Sequence, residues 1–117
     1  MISIGTDIVK VSRIKDLLTT KKEKFLNKVF VEEEISYCNS NSHPEIHFSG
    51  KYAAKEAIKK ALLSNDIIKH ISLKEIKVLN RDNKAPYIEI DSLIDLSYNV
   101  SISHEEEYAI AFALIQK

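Results

Sequence analysis

The hydrophobic pattern of this chain has mainly helical spacing in the first half and alternates in the second. Apolar residues recur at helical spacing over Glu45–Leu63, the longest helical pattern in the chain. Alternating segments follow it and predict strands over Ile76–Val78, Tyr87–Ile90, Val100–Ser103 and Tyr108–Ile115. A chain with its helices early and its antiparallel strands late is expected to adopt an α+β fold, with helices packed on an antiparallel sheet.

Shorter elements are predicted before the long helix. Ile2–Ile4 alternates and predicts a short strand that ends at Gly5, which would leave Asp7 just beyond the strand end. Further helices are expected after a cap at Ser12, over Lys21–Phe30 and over Glu32–Cys38. The best loop signal is Asn39–Pro44, and no sharper linker divides the chain, so residues 1–117 are expected to form a single domain.

The last alternating segment is apolar on both of its faces. One face carries Tyr108, Ile110, Phe112 and Leu114, and the other carries Ala109, Ala111, Ala113 and Ile115. Because residues two apart share one face of a strand, both faces are expected to be buried.

Composition excludes several classes of protein. The chain is 44% hydrophobic and 29% charged, with 2 Gly and 2 Pro, a balance that excludes disordered and collagen-like proteins. Its longest apolar run is too short to span a bilayer, so no membrane association is expected. The start of the chain resembles no secretory signal, and the single cysteine, Cys38, excludes an intrachain disulfide. Both observations favour a cytoplasmic protein.

The formal net charge is zero, from 17 basic and 17 acidic residues, which excludes a strongly basic nucleic-acid-binding protein. The charge is unevenly distributed, because residues 1–30 hold seven basic residues and three acidic ones. Such a cluster is usually a solvated face, but it also suits the steering of an acidic partner. A second basic cluster surrounds Glu56 and consists of Lys51, Lys55, Lys59 and Lys60.

Two interpretations of the cluster around Glu56 stay open. Lys60 follows Glu56 by four residues, so the two could form an ordinary ion pair on a helix surface. Alternatively, the lysines repel one another at four-residue spacing until a polyanion binds, and Glu56 shares a metal with its phosphates. Asp7, near Gly5, could supply a second carboxylate for a hard cation such as Mg²⁺, or it could stabilise a turn.

The histidines and the cysteine carry weaker signals. His104 ends a predicted strand before three acidic residues, where it could contact a phosphate, shuttle a proton or be an exposed turn residue. His43 and His47 are four residues apart, but Pro44 between them indicates a helix start, and no second ligand pair follows, so no zinc site is expected. Cys38 has no activating partner in the sequence and is expected to be a buried thiol.

Four segments, taken together and in this order, resemble the holo-[acyl-carrier-protein] synthases. They are Ile4–Val9 with Arg13-Ile14, Val29–Cys38, Tyr52–Ala57 with Lys60-Ala61, and Val100–His104 with Tyr108-Ala109. The resemblance implies a 4′-phosphopantetheinyl transferase-like fold. It also implies transfer of the 4′-phosphopantetheine arm of coenzyme A to a serine of an apo acyl carrier protein. Adenosine 3′,5′-bisphosphate would be released, and the carrier would be activated for fatty acid synthesis.

The resemblance also implies roles for individual residues. Asp7 and Glu56 correspond to ligands of Mg²⁺, and together with Lys60 they form the implied catalytic set. The residues expected to contact coenzyme A are Lys55, Lys60, Ser103 and His104. The acidic carrier protein is expected to bind the basic early helices, above all at Arg13 and also at Lys10, Lys21 and Lys24. Family members are typically homotrimers with active sites between subunits. The two-sided apolar segment at Tyr108–Ile115 suits a trimer, and a buried central strand in a monomer fits it equally well.

Three departures from the family pattern lie outside the implied catalytic set. Leu63–Asn65 stands where a glycine-rich turn is common, and Lys84 stands where glycine is common. Val31 replaces a threonine, which removes a helix N-cap worth typically about 1 kcal/mol.

Two other functions are compatible with the same residues. One is a transferase that binds the phosphates of coenzyme A but moves an acyl group. The other is a non-catalytic adaptor that docks acidic carrier proteins. The presence of Asp7, Glu56 and Lys60 favours the phosphopantetheinyl transferase.

Overall fold

The computed structural model describes residues 1–117 and contains four helices and five strands. The elements are β1 (Ile2–Lys10), α1 (Val11–Thr20), α2 (Lys22–Val29), α3 (Glu32–Asn39), α4 (Pro44–Ser64), a 3-10 turn (Leu73–Glu75), β2 (Lys77–Asn80), β3 (Pro86–Glu89), β4 (Ser97–His104) and β5 (Tyr108–Gln116). One antiparallel sheet has the strand order β1-β5-β4, and β2 and β3 form a separate antiparallel hairpin. The expected α+β fold, with helices packed on an antiparallel sheet, is confirmed.

β1 continues well past the point at which it was expected to end. It pairs with β5 along its whole length, and Asp7 lies within the strand, opposite Ala111. The prediction of a short strand ending at Gly5 is therefore wrong. Gly5 serves close packing and not a turn, because a Cβ atom there would overlap the carbonyl oxygen of Ala57 and lie 2.9 Å from the amide nitrogen of Ala61.

None of the four helices begins with a hydrogen bond from a side-chain cap, and two of them bear on the predictions. α1 begins at Val11, so the expected cap at Ser12 is wrong, and the Val11 N–H donates to the carbonyl oxygen of Glu107 at 2.8 Å. α3 follows Val31, which has no side-chain acceptor, as its replacement of threonine predicts. The Val31 N–H instead donates to Glu34 Oε1 at 2.9 Å, so only the reciprocal half of a capping box forms.

α4 packs against the inner face of the sheet, and small residues let the two approach closely. On α4 the buried small residues are Ala53, Ala54, Ala57 and Ala61, and on β5 the buried residues are Ala109, Ala111, Ala113 and Ile115. The sheet therefore packs closely against the alanine-rich middle of α4. No helix, α4 included, combines the length and the hydrophobicity that crossing a membrane requires.

The opposite face of the sheet is left uncovered by the chain. We call this surface the open sheet face, and it consists of Ile2, Ile4, Ile8, Tyr108, Ile110 and Phe112. Ile8 is 62% exposed and Ile110, its partner across the strands, is 47% exposed. The expectation that both faces of the last segment are buried is wrong for the single chain, because helices cover only one side of the sheet.

A buried ion pair joins the helices to the hairpin of β2 and β3, which we call the small hairpin. Lys55 Nζ lies 2.9 Å from Glu34 Oε1, and neither side chain is exposed to solvent. Lys55 Nζ also donates to the carbonyl oxygens of Leu73 at 3.0 Å and Ile76 at 2.6 Å. Glu34 Oε2 accepts the N–H of Val78 at 2.8 Å, so this pair connects α3, α4, the 3-10 turn and β2.

Candidate functional site

The contact between β1 and α4 brings together the residues implied to be catalytic. Lys60 Nζ on α4 lies 3.1 Å from Asp7 Oδ1 on β1 and donates to the carbonyl oxygen of Thr6 at 3.0 Å. The absence of a side chain at Gly5 allows this, because it lets β1 pass directly over α4. Glu56 lies one turn before Lys60 and shares its face of the helix.

Lys60 does not form the surface ion pair with Glu56 that one interpretation predicted, because its ammonium reaches across to Asp7. Glu56 is half-buried, and its carboxylate has no hydrogen-bond or salt-bridge partner within the chain. A carboxylate without a protein partner is available to a ligand or a cation.

Asp7 and Glu56 fit Mg²⁺ better than a metal that requires several protein ligands. No group of three or more His, Cys, Asp or Glu side chains in this structure could hold a metal ion. Mg²⁺ is usually held by one or two carboxylates, with substrate phosphates and waters supplying the other oxygens. The two carboxylates at the β1–α4 contact match that donor set.

Lys55 is not part of this cluster. Its ammonium is fully buried against Glu34, and burial lowers the pKa of Lys55 to about 8 while the charge of Glu34 acts to raise it. The expected contact between Lys55 and a cofactor is contradicted, because a ligand cannot reach this ammonium.

The ammonium of Lys51 also has partners within the chain, since its Nζ donates to the carbonyl oxygen of Val78 at 2.5 Å and to Asn80 Oδ1 at 2.6 Å. Internal acceptors therefore compensate the charges of Lys51 and Lys55.

A cleft of about 170 Å³ lies near the start of α4, which we call the α4 cleft. Residues from four parts of the fold line it, among them Tyr37 from α3, His47 and Lys51 from α4, Asn80 and Lys84 from the small hairpin, and His104 from β4. Two lysines and two histidines contribute to the lining, whereas no carboxylate does. This distribution of charge favours an anionic ligand.

Ser103 and His104, both expected to bind the cofactor, lie on opposite faces of β4. His104 lines the α4 cleft together with Ile102. Ser103 pairs with Ile110 and is exposed on the other side of the sheet, because successive residues of a strand alternate between faces. A ligand in the α4 cleft can therefore contact His104 but not Ser103 of the same chain.

Lys84, one of the departures from the family pattern, has a left-handed backbone conformation with φ of 72°. This region favours glycine, so a lysine there carries backbone strain. The turn is held by hydrogen bonds from the Lys84 N–H to the carbonyl oxygen of Arg81 at 2.8 Å and from Asn80 Nδ2 to the carbonyl oxygen of Lys84 at 2.9 Å. The strained residue adds an exposed ammonium to the edge of the α4 cleft.

The residues expected to bind an acidic partner are exposed on the first two helices and at the residues just before them. They are Lys10, Arg13, Lys21 and Lys24. The guanidinium carbon of Arg13 lies 5.7 Å from the ring centroid of Tyr52 on α4, a cation–π contact that orients the side chain. α1 and α2 thus present a basic surface next to α4.

Sequence reasoning missed Glu34 and His47. Glu34 is the third residue of α3, a position from which a carboxylate reaches back to the preceding backbone, and that spacing was the available signal. His47 was considered only as a zinc ligand. Its position four residues before Lys51 places both on one face of α4, which would have associated it with the basic cluster.

Comparison with known proteins points to a single family. The family model of the 4′-phosphopantetheinyl transferase superfamily matches residues 3–113. A holo-[acyl-carrier-protein] synthase of Thermodesulfovibrio yellowstonii is 44% identical over 112 residues, which are 96% of this chain and 96% of the relative. The synthase of Protochlamydia amoebophila is 36% identical over 118 residues, covering 97% of this chain and 96% of the relative.

Solved structures agree with this assignment. The holo-[acyl-carrier-protein] synthase of Helicobacter pylori in complex with coenzyme A is similar to this chain with a TM-score of 0.83 at 30% identity, covering 97% of this chain and 99% of that one. The synthase of Bacillus anthracis in complex with CoA (3′,5′-ADP) has a TM-score of 0.80 at 30% identity, covering 97% of this chain and 94% of that one. The resemblance carried by the four sequence segments is confirmed, and the chain belongs to the 4′-phosphopantetheinyl transferase superfamily, among the holo-[acyl-carrier-protein] synthases.

Proposed function

We propose that this protein, as a single domain over residues 1–117, transfers the 4′-phosphopantetheine arm of coenzyme A to a serine of an apo acyl carrier protein. The reaction would require Mg²⁺ and release adenosine 3′,5′-bisphosphate, and it would activate carriers for fatty acid synthesis in the cytoplasm. The name shared by the relatives supports the transfer. Coenzyme A in the related structures supports it as the co-substrate.

The observation that carries this proposal is the cluster of Asp7, Glu56 and Lys60 at the β1–α4 contact, in a chain that matches the family over nearly its whole length. The serine hydroxyl would lose its proton to a base, for which Glu56 and a water molecule are the two candidates, and its oxygen would form a bond to the phosphorus that bears the pantetheine. The bond from that phosphorus to the bridging oxygen would break, and its electron pair would leave with the adenosine bisphosphate. Mg²⁺ held by Asp7 and Glu56 would neutralise charge on the pyrophosphate. The exposed ammonium of Lys60 would donate to a phosphate oxygen and orient it.

The distance between the α4 cleft and the cluster of Asp7, Glu56 and Lys60 supports an active site shared between subunits. His47 in the α4 cleft and Lys60 are thirteen residues apart on one helix, roughly 20 Å at the rise of an α-helix. The 3′-phosphate and the pyrophosphate of coenzyme A are attached to one ribose and do not span that distance. One molecule would therefore use the α4 cleft of one subunit and the carboxylates of another. The open sheet face supplies an apolar surface for association, and we propose a homotrimer.

The proposed activity can be tested by the intact mass of an apo carrier protein incubated with this protein, coenzyme A and Mg²⁺. We expect the carrier to gain one phosphopantetheine arm. An unchanged mass with several carriers would overturn the proposal. Binding of the carrier without a mass change would instead indicate an adaptor, and gain of an acyl group would indicate the other class of transferase.

The shared active site can be tested by mixing two impaired variants, Lys60→Ala and His104→Ala. If each site combines the two residues from different subunits, unfolding and refolding the variants together should restore about a quarter of wild-type activity, because random assembly leaves that share of sites intact. A mixture no more active than its components would contradict a site between subunits.

A further inference from the structure

Two histidines from distant parts of the sequence meet in the α4 cleft. The ring centroids of His47 and His104 are 5.9 Å apart, with the rings inclined at 65°. The ring of His47 also packs edge-on against Tyr37, with centroids 6.0 Å apart. His47 is only partly exposed, so its orientation is fixed by these aromatic contacts while it still borders the cleft.

The charges around His47 are mainly positive. The titratable and charged groups that face it are His43, Glu45 and Lys51 on α4, Tyr37 on α3, His104 on β4 and Lys84 at the hairpin turn. The Lys51 ammonium is bound to Val78 and Asn80, and it lies 4.7 Å from the ring centroid of Tyr37. Its charge therefore makes the electrostatic potential of the cleft more positive, although its N–H groups already donate to acceptors within the chain. The imidazoles are left as the side chains that can gain a proton and donate a hydrogen bond to a ligand.

Burial, and then repulsion from His104 and Lys51, lowers the pKa of His47. The ring is therefore mostly neutral in the free protein at neutral pH. A phosphate monoester carries close to two negative charges at that pH and would stabilise the protonated ring. Binding such an anion beside His47 would thus be accompanied by uptake of a proton.

We propose that His47 is a specificity-determining residue, whose imidazole beside His104 takes up a proton when the 3′-phosphate of coenzyme A enters the α4 cleft. This inference rests on the proposed function, because it takes coenzyme A as the ligand. His47 would favour coenzyme A over dephospho-coenzyme A, which lacks only that phosphate. Unlike a guanidinium, an imidazole is cationic only when protonated, so the preference falls as pH rises.

The test is calorimetric titration of the protein with coenzyme A and with dephospho-coenzyme A, from about pH 6 to about pH 8.5. Repeating it in buffers of different ionisation enthalpy counts the protons taken up. The variants are His47→Phe, which keeps an aromatic ring against Tyr37, and His47→Gln, which keeps a hydrogen-bonding side chain. The matched control is His70→Gln, because His70 is an exposed histidine that neither lines the cleft nor faces His47.

For the wild type we expect the preference for coenzyme A to decrease about tenfold across this range, with proton uptake on binding of coenzyme A only. Both His47 variants should show a smaller preference that depends less on pH, and His70→Gln should match the wild type. Equal pH dependence in wild type and His47 variants, or the same loss in His70→Gln, overturns the inference. A wild type that binds both ligands equally at every pH also overturns it, but leaves the transferase proposal intact. A wild type that binds neither ligand contradicts the transferase proposal itself.

Discussion

Lys60 Nζ lies 3.1 Å from Asp7 Oδ1, so an ammonium on α4 meets a carboxylate on β1 across the contact that Gly5 permits. With Glu56 one helical turn away, the site contains two carboxylates and one ammonium. Its formal charge is therefore negative, and a divalent cation would make it positive. A positive site favours the pyrophosphate of a co-substrate, whereas the carboxylates alone repel it.

Loss of either carboxylate should abolish transfer while leaving the fold intact. Asp7→Ala and Glu56→Ala are expected to lower the rate of phosphopantetheine transfer by about 100-fold or more, because each removes one of two metal ligands. Mg²⁺ affinity, measured by calorimetry, should fall in both variants, and chelation of divalent metal should stop the wild-type reaction. The control is Asp91→Asn, an exposed carboxylate that pairs with Lys77. Full activity in either alanine variant, or with metal chelated, contradicts the metal assignment.

A methyl group at Gly5 should destabilise the protein strongly. In Gly5→Ala the new Cβ would overlap backbone atoms of α4, which cannot move aside as a side chain can. We expect a loss of about 3 kcal/mol in the free energy of unfolding, measured with urea. Gly50→Ala is the matched control, because its Cβ would lie 3.0 Å from a methyl group of Ile102, a side chain that can adjust. A Gly5→Ala variant as stable as Gly50→Ala would show that β1 and α4 are not in close contact.

Breaking the buried ion pair from one side should cost more than replacing both partners. Lys55→Met leaves the charge of Glu34 buried without its cation, and we expect a loss of about 3–5 kcal/mol in the free energy of unfolding. The double variant Glu34→Gln/Lys55→Met should lose less than Lys55→Met alone, because no buried charge remains. Urea unfolding of the wild type, both single variants and the double variant gives the coupling. Additive losses would indicate that the two groups do not interact.

Cys38 should make stability decline at alkaline pH. Burial raises the pKa of its thiol from 9.0 to about 12, so the folded state keeps a proton that the unfolded state loses above pH 9. Its contribution to stability is therefore complete below pH 9 and disappears as pH rises towards 12.

The measurement is the difference in free energy of unfolding between wild type and Cys38→Ala at two pH values. From about pH 8 to about pH 10.5 the wild type should lose about 2 kcal/mol more than the variant. Tyr98, whose pKa burial raises to about 12, is present in both proteins and cancels in the difference. An identical decline in both proteins would indicate that the thiol is accessible in the folded state.

Charge reversal on α1 should weaken docking of an acidic carrier protein. Arg13→Glu removes a guanidinium oriented by Tyr52 and is expected to reduce carrier affinity roughly tenfold at low salt. Lys69→Glu, an exposed change outside the basic surface, is the control. Binding of the wild type should weaken as salt is raised, because salt screens exposed charges. Carrier binding unaffected by salt and by Arg13→Glu would place the docking surface elsewhere.

Features that depend on neighbouring residues were predictable from the sequence. The helices over Lys22–Val29, Glu32–Asn39 and Pro44–Ser64 lie within a residue or so of the predicted bounds, because helical period is a local property. The sequence does not distinguish a glycine at a turn from a glycine at a close contact, such as Gly5, because the opposing backbone comes from a distant segment. The alternation of β5 revealed two apolar faces but not how many layers cover them.

The candidate site was only partly predictable for the same reason. Asp7, Glu56 and Lys60 were singled out from motifs, but the ion pair between Lys60 and Asp7 joins residues far apart in sequence. The burial of Lys55 depends on Glu34, which belongs to another helix. The α4 cleft is assembled from α3, α4, β4 and the small hairpin, so no single segment contains its pattern.

The open sheet face would make the stability of this protein depend on its concentration. Its six apolar side chains are exposed to water in a lone chain and would lose that water if copies associated through them. Under the assembly proposed above, the midpoint of thermal unfolding rises with protein concentration, because dilution favours the lone chain. The protein would then exist in two forms in the cell. Chains at low concentration would be separate and readily degraded by proteases, and chains at high concentration would be associated and more stable.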